Sequence, residues 1–185
     1  MKELSLNILD ITENSTKAKA ELVEIAIFET DELLTIKIKD DGTGMSEETL
    51  KSVSNPFYTT RTTRKVGMGI PLFRFAAEQT GGDLTISSTH VDLDKEHHGT
   101  TVTARFYKKH IDFTPLGDII STLTTLIQGH PDVDFVFNHS CGEKNVTLDT
   151  RELRVVLDDV PLDTFEVLLW IKDNLEEQYN EFNLN

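Results

Sequence analysis

Cysteine occurs once in 185 residues, at Cys141. That excludes an intrachain disulfide and a cysteine-rich metal centre, and it fits a reducing compartment. Long apolar runs are missing too: no stretch approaches the roughly 20 residues needed to cross a bilayer. The opening MKELSLNILDITENS mixes charge with apolar residues, unlike the continuous apolar core of a secretory signal. The expectation is a soluble, cytoplasmic protein that makes no membrane contact. Positive charge is scarce, with 18 Lys and Arg against 32 Asp and Glu and a net charge of -14. Nucleic acid is therefore a disfavoured partner, because such binding depends on neutralising phosphates. Low-complexity tracts and internal repeats are also lacking. What remains is 38% hydrophobic and 27% charged, enough for one sizeable core with a smaller unit attached.

Apolar spacing places the elements. Leu4, Ile8, Ile11 and Ser15 recur every three or four residues, predicting an amphipathic helix over about 2–18. Residues 22–28 and 33–39 alternate apolar and polar on either side of Glu29-Thr30-Asp31-Glu32, which predicts a hairpin. A glycine-containing loop at 40–45 leads to a short helix that Ser46 can cap. Residues 54–68 are polar, basic and without apolar period, and so are expected to form a mobile loop. A helix over 70–80 stopped by Gly81-Gly82 follows, then strands at 84–88 and 101–107 joined by a charged loop. Beyond about 110 the spacing predicts a helix at 115–128, strands at 132–137 and 144–148, and helices at 151–157 and 162–179. That last third carries no legible chemical motif.

Four local features point to phosphate and base chemistry. Asp10 and Asn14 lie one turn apart on one helix face. An Asn carbonyl suits Mg²⁺, and the carboxylate one turn earlier, Asp10, can orient or deprotonate a water. The bland alternative is a polar helix face with a Glu13–Lys17 ion pair. Asp40-Asp41-Gly42-Thr43-Gly44-Met45 follows a predicted strand, where a carboxylate accepts from an exocyclic amine and glycines admit a flat ring; an ordinary turn explains it equally. Gly67 and Gly69 precede a helix beside Arg61, Arg64 and Lys65, which favours phosphate at the helix N-terminus. Gly99-Thr100 opens a strand, and its hydroxyl reaches the same base directly or through water, or is simply a strand start.

Taken in order, these features carry a resemblance. A helix bearing Asn14, then Asp40-x-Gly42-x-Gly44, then Pro56-Phe57-Tyr58-Thr59-Thr60-Arg61, then Gly67-x-Gly69, then Gly99-Thr100 resembles the ordered boxes of the superfamily of DNA gyrase B, heat-shock chaperones, histidine kinases and MutL ATPases. The resemblance covers residues 1–108 and is strongest, at Pro-Phe-Tyr-Thr-Thr, to histidine-kinase catalytic domains. It implies an α/β (α+β) two-layer sandwich of the Bergerat type over 1–108, with a small α+β extension over 109–185 serving docking or dimerisation.

The cofactors it implies are ATP and Mg²⁺. Asn14 would ligate the metal, Asp40 would take the adenine amine, Gly42 and Gly44 would pass beside the base, Gly67 and Gly69 would hold phosphates, and Thr100 would support the base contact. Lys17, Met45, Thr59, Thr60, Arg61, Arg64, Lys65, Val66, Met68 and Ile70 complete the expected nucleotide set, with Asp10 and Glu13 as catalytic candidates.

Two departures shape the functional expectation. Asn14 lies within the first fifteen residues, and none of the six histidines sits in the pattern of a phosphoacceptor helix. Gyrase B and MutL carry Glu where this chain has Asp10. The expectation is a histidine-kinase-like regulator that lacks its own phosphoacceptor domain and acts on a separate protein partner, with an ATPase switch or a non-catalytic nucleotide sensor as alternatives. The chain is also similar to stand-alone histidine-kinase-like ATP-binding proteins of anaerobic bacteria, which share its Leu-Asp-Ile-x-Glu-Asn-Ser opening. That likeness implies an association with iron-hydrogenase systems. A homodimer is left open.

Overall fold

The computed structural model describes residues 3–54 and 69–183. Its elements run α1 (Leu4–Lys17), β1 (Leu22–Glu29), β2 (Leu33–Asp40), α2 (Glu47–Ser54), α3 (Gly69–Gln79), β3 (Asp83–Thr89), β4 (Gly99–Tyr107), α4 (Ile119–Gly129), β5 (Asp134–Cys141), β6 (Lys144–Asp149), α5 (Thr150–Leu157) and α6 (Phe165–Asn183). Ser46 caps α2 as expected, its Oγ accepting from Thr49 N at 3.2 Å.

Two helices begin later than their apolar spacing predicts. The expected helix over 115–128 starts at Ile119 because Asp118 is its cap, taking the Ser121 N–H at 2.8 Å. The carbonyls of Pro115 and Leu116 are used elsewhere: they accept from Leu4 N at 2.9 Å and Ser5 N at 2.7 Å, satisfying first-turn donors of α1 that no side chain caps. Likewise α6 starts at Phe165, because Pro161 to Thr164 close a turn through Thr164 N and Pro161 O.

The six strands form one mixed sheet in the order β3-β4-β2-β1-β5-β6, antiparallel except for β1 against β5. The boundary expected near residue 108 falls between β4 and α4, and β5 and β6 continue the same sheet beside β1. Pairing register keeps every apolar alternation on one face: Val23, Ile25 and Ile27 stand beside Phe135 and Phe137 on one side and Ile38 and Ile36 on the other. Ile36 and Ile38 in turn face Ala104 and Val102. Helices α1, α3, α4 and α6 cover this face, α1 contributing Leu4, Ile8 and Ile11, all 3% exposed or less. Each such aliphatic side chain withdrawn from water contributes about 1.5–3 kcal/mol. Phe73 of α3 packs on Phe106 with ring centroids 5.5 Å apart.

A polar network is buried beneath α6. His139 of β5 lies between Glu29 of β1, at 3.0 Å from its Nε2, and the Tyr179 hydroxyl of α6, at 2.9 Å from its Nδ1. Lys108 donates to the other Glu29 oxygen. The carboxylate accepts from Nε2–H, which leaves Nδ1 to accept the phenol proton, so a neutral imidazole satisfies every partner.

Candidate nucleotide site

Period-two alternation explains why a carboxylate is buried at the end of β2. Asp40 follows Leu34, Ile36 and Ile38 on the covered face and is only 8% exposed. The same logic on α1 brings Ser15 to it, one and two turns along from Ile11 and Ile8. Ser15 Oγ donates to Asp40 Oδ2 at 2.6 Å. Asp40 Oδ1 accepts from Gly42 N at 3.0 Å and from Thr100 N at 3.2 Å. A carboxylate has about four lone-pair sites; three are filled by the protein, and one acceptor site remains on Oδ2.

A cleft of about 220 Å³ opens over this carboxylate. Ile11, Ala18, Met45, Val53, Ile70 and Val102 give it apolar walls, and Asn14, Ser15, Asp40, Thr49 and Thr100 supply polar groups. Apolar walls with few convergent polar groups are the usual make-up of a small-molecule site. Asn14 lines the cleft and makes no side-chain hydrogen bond among the described residues. The Thr100 hydroxyl is spoken for: Ser88 Oγ donates to Gly99 O at 3.0 Å, so Thr100 Oγ1, 2.9 Å away, donates to Ser88 and keeps only its acceptor capacity.

The loop after Asp40 is held from both sides. Thr43 N bonds Ala18 O at 2.8 Å, Val91 N bonds Thr43 O at 2.9 Å, and Met45 N bonds Ser88 Oγ at 2.8 Å. His98 Nδ1 lies 2.7 Å from Gly42 O and must be its protonated nitrogen, since a carbonyl only accepts. Gly44 adopts φ +68°, and a Cβ there would sit 2.0 Å from Thr89 O. Only glycine permits this close crossing of the loop over β3. Asp41 faces the other way and holds the start of β1, accepting from Glu21 N and Leu22 N at 2.8 and 2.9 Å.

Of the residues expected from sequence, the structure brings Asn14, Asp40, Gly44, Met45, Ile70 and Thr100 to one cleft, with Gly42 bonded to Asp40. Gly69 opens α3 against Asp10, a Cβ on it falling 3.1 Å from the Asp10 Cβ, so α1 and α3 meet closely there. Glu13 and Lys17 do not line the cleft. Glu13 bonds His130 Nε2 at 2.9 Å and stands 4.0 Å from Lys17, which is exposed. Thr59, Thr60, Arg61, Arg64, Lys65, Val66, Gly67 and Met68 lie outside the described residues.

Sequence reading missed Ser15 as a donor to Asp40 and missed the support from Ser88 and His98. A hydroxyl on an apolar helix stripe was the available signal for Ser15. Nothing local marks Ser88 or His98, which reach the loop only through strand pairing.

A family model described as histidine kinase-, DNA gyrase B-, and HSP90-like ATPase matches residues 1–110. Sporulation kinase C of Bacillus subtilis (strain 168) is 32% identical over 90 residues, which are 48% of this chain and 20% of that protein. Among solved structures, the MutL ATPase domain of Aquifex aeolicus complexed with ADP superposes at a TM-score of 0.53 with 15% identity, covering 97% of this chain and 70% of that one. The N-terminal domain of a DNA repair protein superposes at 0.51 with 18% identity, covering 80% and 53%. At such identities the two structural likenesses speak for the fold. The chain spans about a fifth of the curated relative's length.

Proposed function

The chain belongs to the family of histidine kinase-, DNA gyrase B-, and HSP90-like ATPases, and from that premise we propose that it binds Mg·ATP in the cleft over Asp40 and passes the γ-phosphoryl group to a partner protein. The observation that carries the nucleotide half is the lone-pair count at Asp40. Three protein donors fix both oxygens, the one remaining acceptor site is on Oδ2, and Thr100 Oγ1 adds only acceptor capacity. A base edge bearing an amine suits this arrangement; a carbonyl edge would meet acceptors with no donor between.

Asn14 is the residue that would hold Mg²⁺. Its carbonyl oxygen has no protein partner among the described residues, and no cluster of three or more His, Cys, Asp or Glu side chains is found among them. The ion would thus be held largely by phosphate oxygens and water with one neutral protein ligand, which suits a metal that keeps much of its hydration. When bound, it would neutralise charge on the phosphates.

The transfer half rests on the carboxylates beside Asn14. Glu13 is engaged by His130 and lies off the cleft, so it is not placed to activate water there. Phosphoryl transfer asks chiefly for positioning and charge stabilisation, not a strong base. In this reading the acceptor is supplied by another protein, since none of the six histidines sits in the pattern of a phosphoacceptor helix. The expectation of an iron-hydrogenase association makes such systems the first place to seek it.

An ATPase switch is the second reading, favoured by the packing of Asp10 against Gly69 at the start of α3, one turn from Asn14. Incubation with γ-labelled ATP and Mg²⁺, with and without a cell extract of the source organism, separates the two. Label on a second protein supports transfer. Free phosphate without any labelled protein supports the switch and overturns transfer.

A further inference from the structure

Six large apolar side chains stand exposed within sixteen residues: Val155, Val156, Val160, Phe165, Leu169 and Trp170, from 46% to 84% exposed. Scattered single residues of this kind are ordinary, but a concentration marks a contact surface. It arises from the turn at 158–164, which sets α6 off from α5. The inner stripe of α6, Val167, Ile171 and Leu175, goes to the core, while Trp170 is left on its flank. Between the two helices lies a groove of about 440 Å³ lined by Leu153, Val156, Leu157, Val167 and Trp170, with Glu166 its one polar lining residue. Leu153 and Trp170 also border a second cleft that reaches Thr147 and Gln178. From Glu166 to Gln178 along α6 is about 18 Å at the usual helical rise, room for about three turns of a docked helix.

Charge selects the occupant. Residues 150–173 contain six carboxylates, at Glu152, Asp158, Asp159, Asp163, Glu166 and Asp173, and three cations. All six carboxylates are exposed. The cations are paired elsewhere: Arg151 with Asp149 at 2.7 Å, Arg154 with Asp134 at 2.8 Å and Lys172 with Glu176 at 3.6 Å. None of the six has an ion-pair partner among the described residues. A second copy docked through this patch about a two-fold axis would bring carboxylates against carboxylates, and an anionic bilayer would be repelled in the same way.

We propose that the groove between α5 and α6 docks a basic amphipathic helix of a partner protein, its apolar residues seated on Val156 and Trp170 and its lysines or arginines at the carboxylate rim. The proposal rests on the reading that the chain acts on a partner in trans and gives that partner a recognisable chemistry. Such an interface follows the general pattern of a helix laid in an apolar groove.

Trp170 is the only tryptophan in the chain, so its emission reports the groove directly. The probe is a synthetic amphipathic peptide of leucine and lysine, with a leucine and glutamate peptide of the same pattern as control. The lysine peptide should shift Trp170 emission to the blue saturably and less strongly in high salt, while the glutamate peptide should leave it unchanged. Val156→Asp, at a largely exposed position, and a Glu166→Lys, Asp163→Lys double variant should each weaken the response about tenfold, the size expected for loss of an interface anchor. Equal response to both peptides, response to neither, or unaltered binding by the variants overturns the proposal. So does a dimer found by sedimentation with Trp170 already buried, which would assign the groove to a second copy. Binding of a fluorescent ATP analogue is followed in the same samples. Nucleotide bound without a peptide response counts against the groove alone, and the reverse counts against the nucleotide reading alone.

Discussion

Asp40 is held by three hydrogen bonds, and a change to the amide turns the one acceptor site left on Oδ2 into a donor, because only there can the partner, Ser15 Oγ, reverse and accept. In Asp40→Asn the NH₂ group replaces one oxygen, and on Oδ1 it would face two N–H donors. ATP binding, followed by isothermal titration, should be lost while the fold persists in circular dichroism. Ser15→Ala is the gentler test: it removes one donor to the carboxylate and, of the cleft lining, only that hydroxyl. A hydrogen bond to a charged group is worth about 1.5–3 kcal/mol, so affinity should fall roughly tenfold to a hundredfold. By the same lone-pair argument ATP should outcompete GTP by about a hundredfold or more; equal affinity would remove the basis for the base assignment.

The second residue of consequence is His139. Burial pushes its imidazole below the ordinary 6.5, opposed by its bond to Glu29. Burial raises the Glu29 carboxyl, but the bonds and charges of Lys108 and His139 outweigh that and hold it below the ordinary 4.5. As pH falls below about 6.5 the unfolded chain takes up a proton at this histidine before the folded chain does. Stability therefore declines on acidification from 6.5 down to the folded value, and Glu29 continues the loss from 4.5 downward. Thermal melts between pH 7 and 5 should show this decline, about this range being set by the histidine's ordinary value, and His139→Gln should flatten it. An unchanged slope in that variant would place the titration elsewhere.

At the scale of elements, β6 is an edge strand, and α6 shields it. The Gln178 side chain pairs with one residue of that edge as a neighbouring strand would, its Oε1 accepting from Thr147 N at 2.8 Å and its Nε2 donating to Thr147 O at 3.0 Å. Exposed strand edges recruit other chains. Gln178→Ala should cost about 1 kcal/mol per lost bond in urea unfolding and should raise self-association in light scattering. Sequence spacing located α1, the first hairpin and the β3–β4 pair to within a residue or two, since their apolar periods are long and regular. It misplaced the starts of α4 and α6 because both follow segments whose apolar side chains continue a helical spacing while their backbones turn. Only the neighbouring chain, α1 against Pro115 and Leu116, explains the first of these.

For the molecule as a whole, the parallel pairing of β1 with β5 and the packing of α4 on α1 tie the C-terminal third to the nucleotide-binding part through one sheet. A fragment ending at residue 110 would expose the edge of β1 and the α4 side of α1. It should be poorly soluble or partly unfolded, whereas the full chain should unfold in one transition by both fluorescence and circular dichroism. Two separate transitions would show that the halves are energetically independent.

What the sequence determined by itself was the local chemistry. Amphipathic periods, an Asp-x-Gly-x-Gly loop after a strand and an Asn on a helix face are each written in a short stretch of chain, because helix and strand geometry turn spacing directly into a shared face. The convergence was decided by tertiary structure. Ser15 reaches Asp40 across 25 positions, Thr100 reaches it across 60, and His98 reaches Gly42 across 56. Those contacts exist only once β4 has paired with β2 and α1 has closed over the sheet, and no spacing along the chain encodes which distant hydroxyl or amide will fill a lone pair. The groove of α5 and α6 has the same origin: its apolar residues were legible as two helices, but which of them the core would bury and which it would leave exposed was settled by packing.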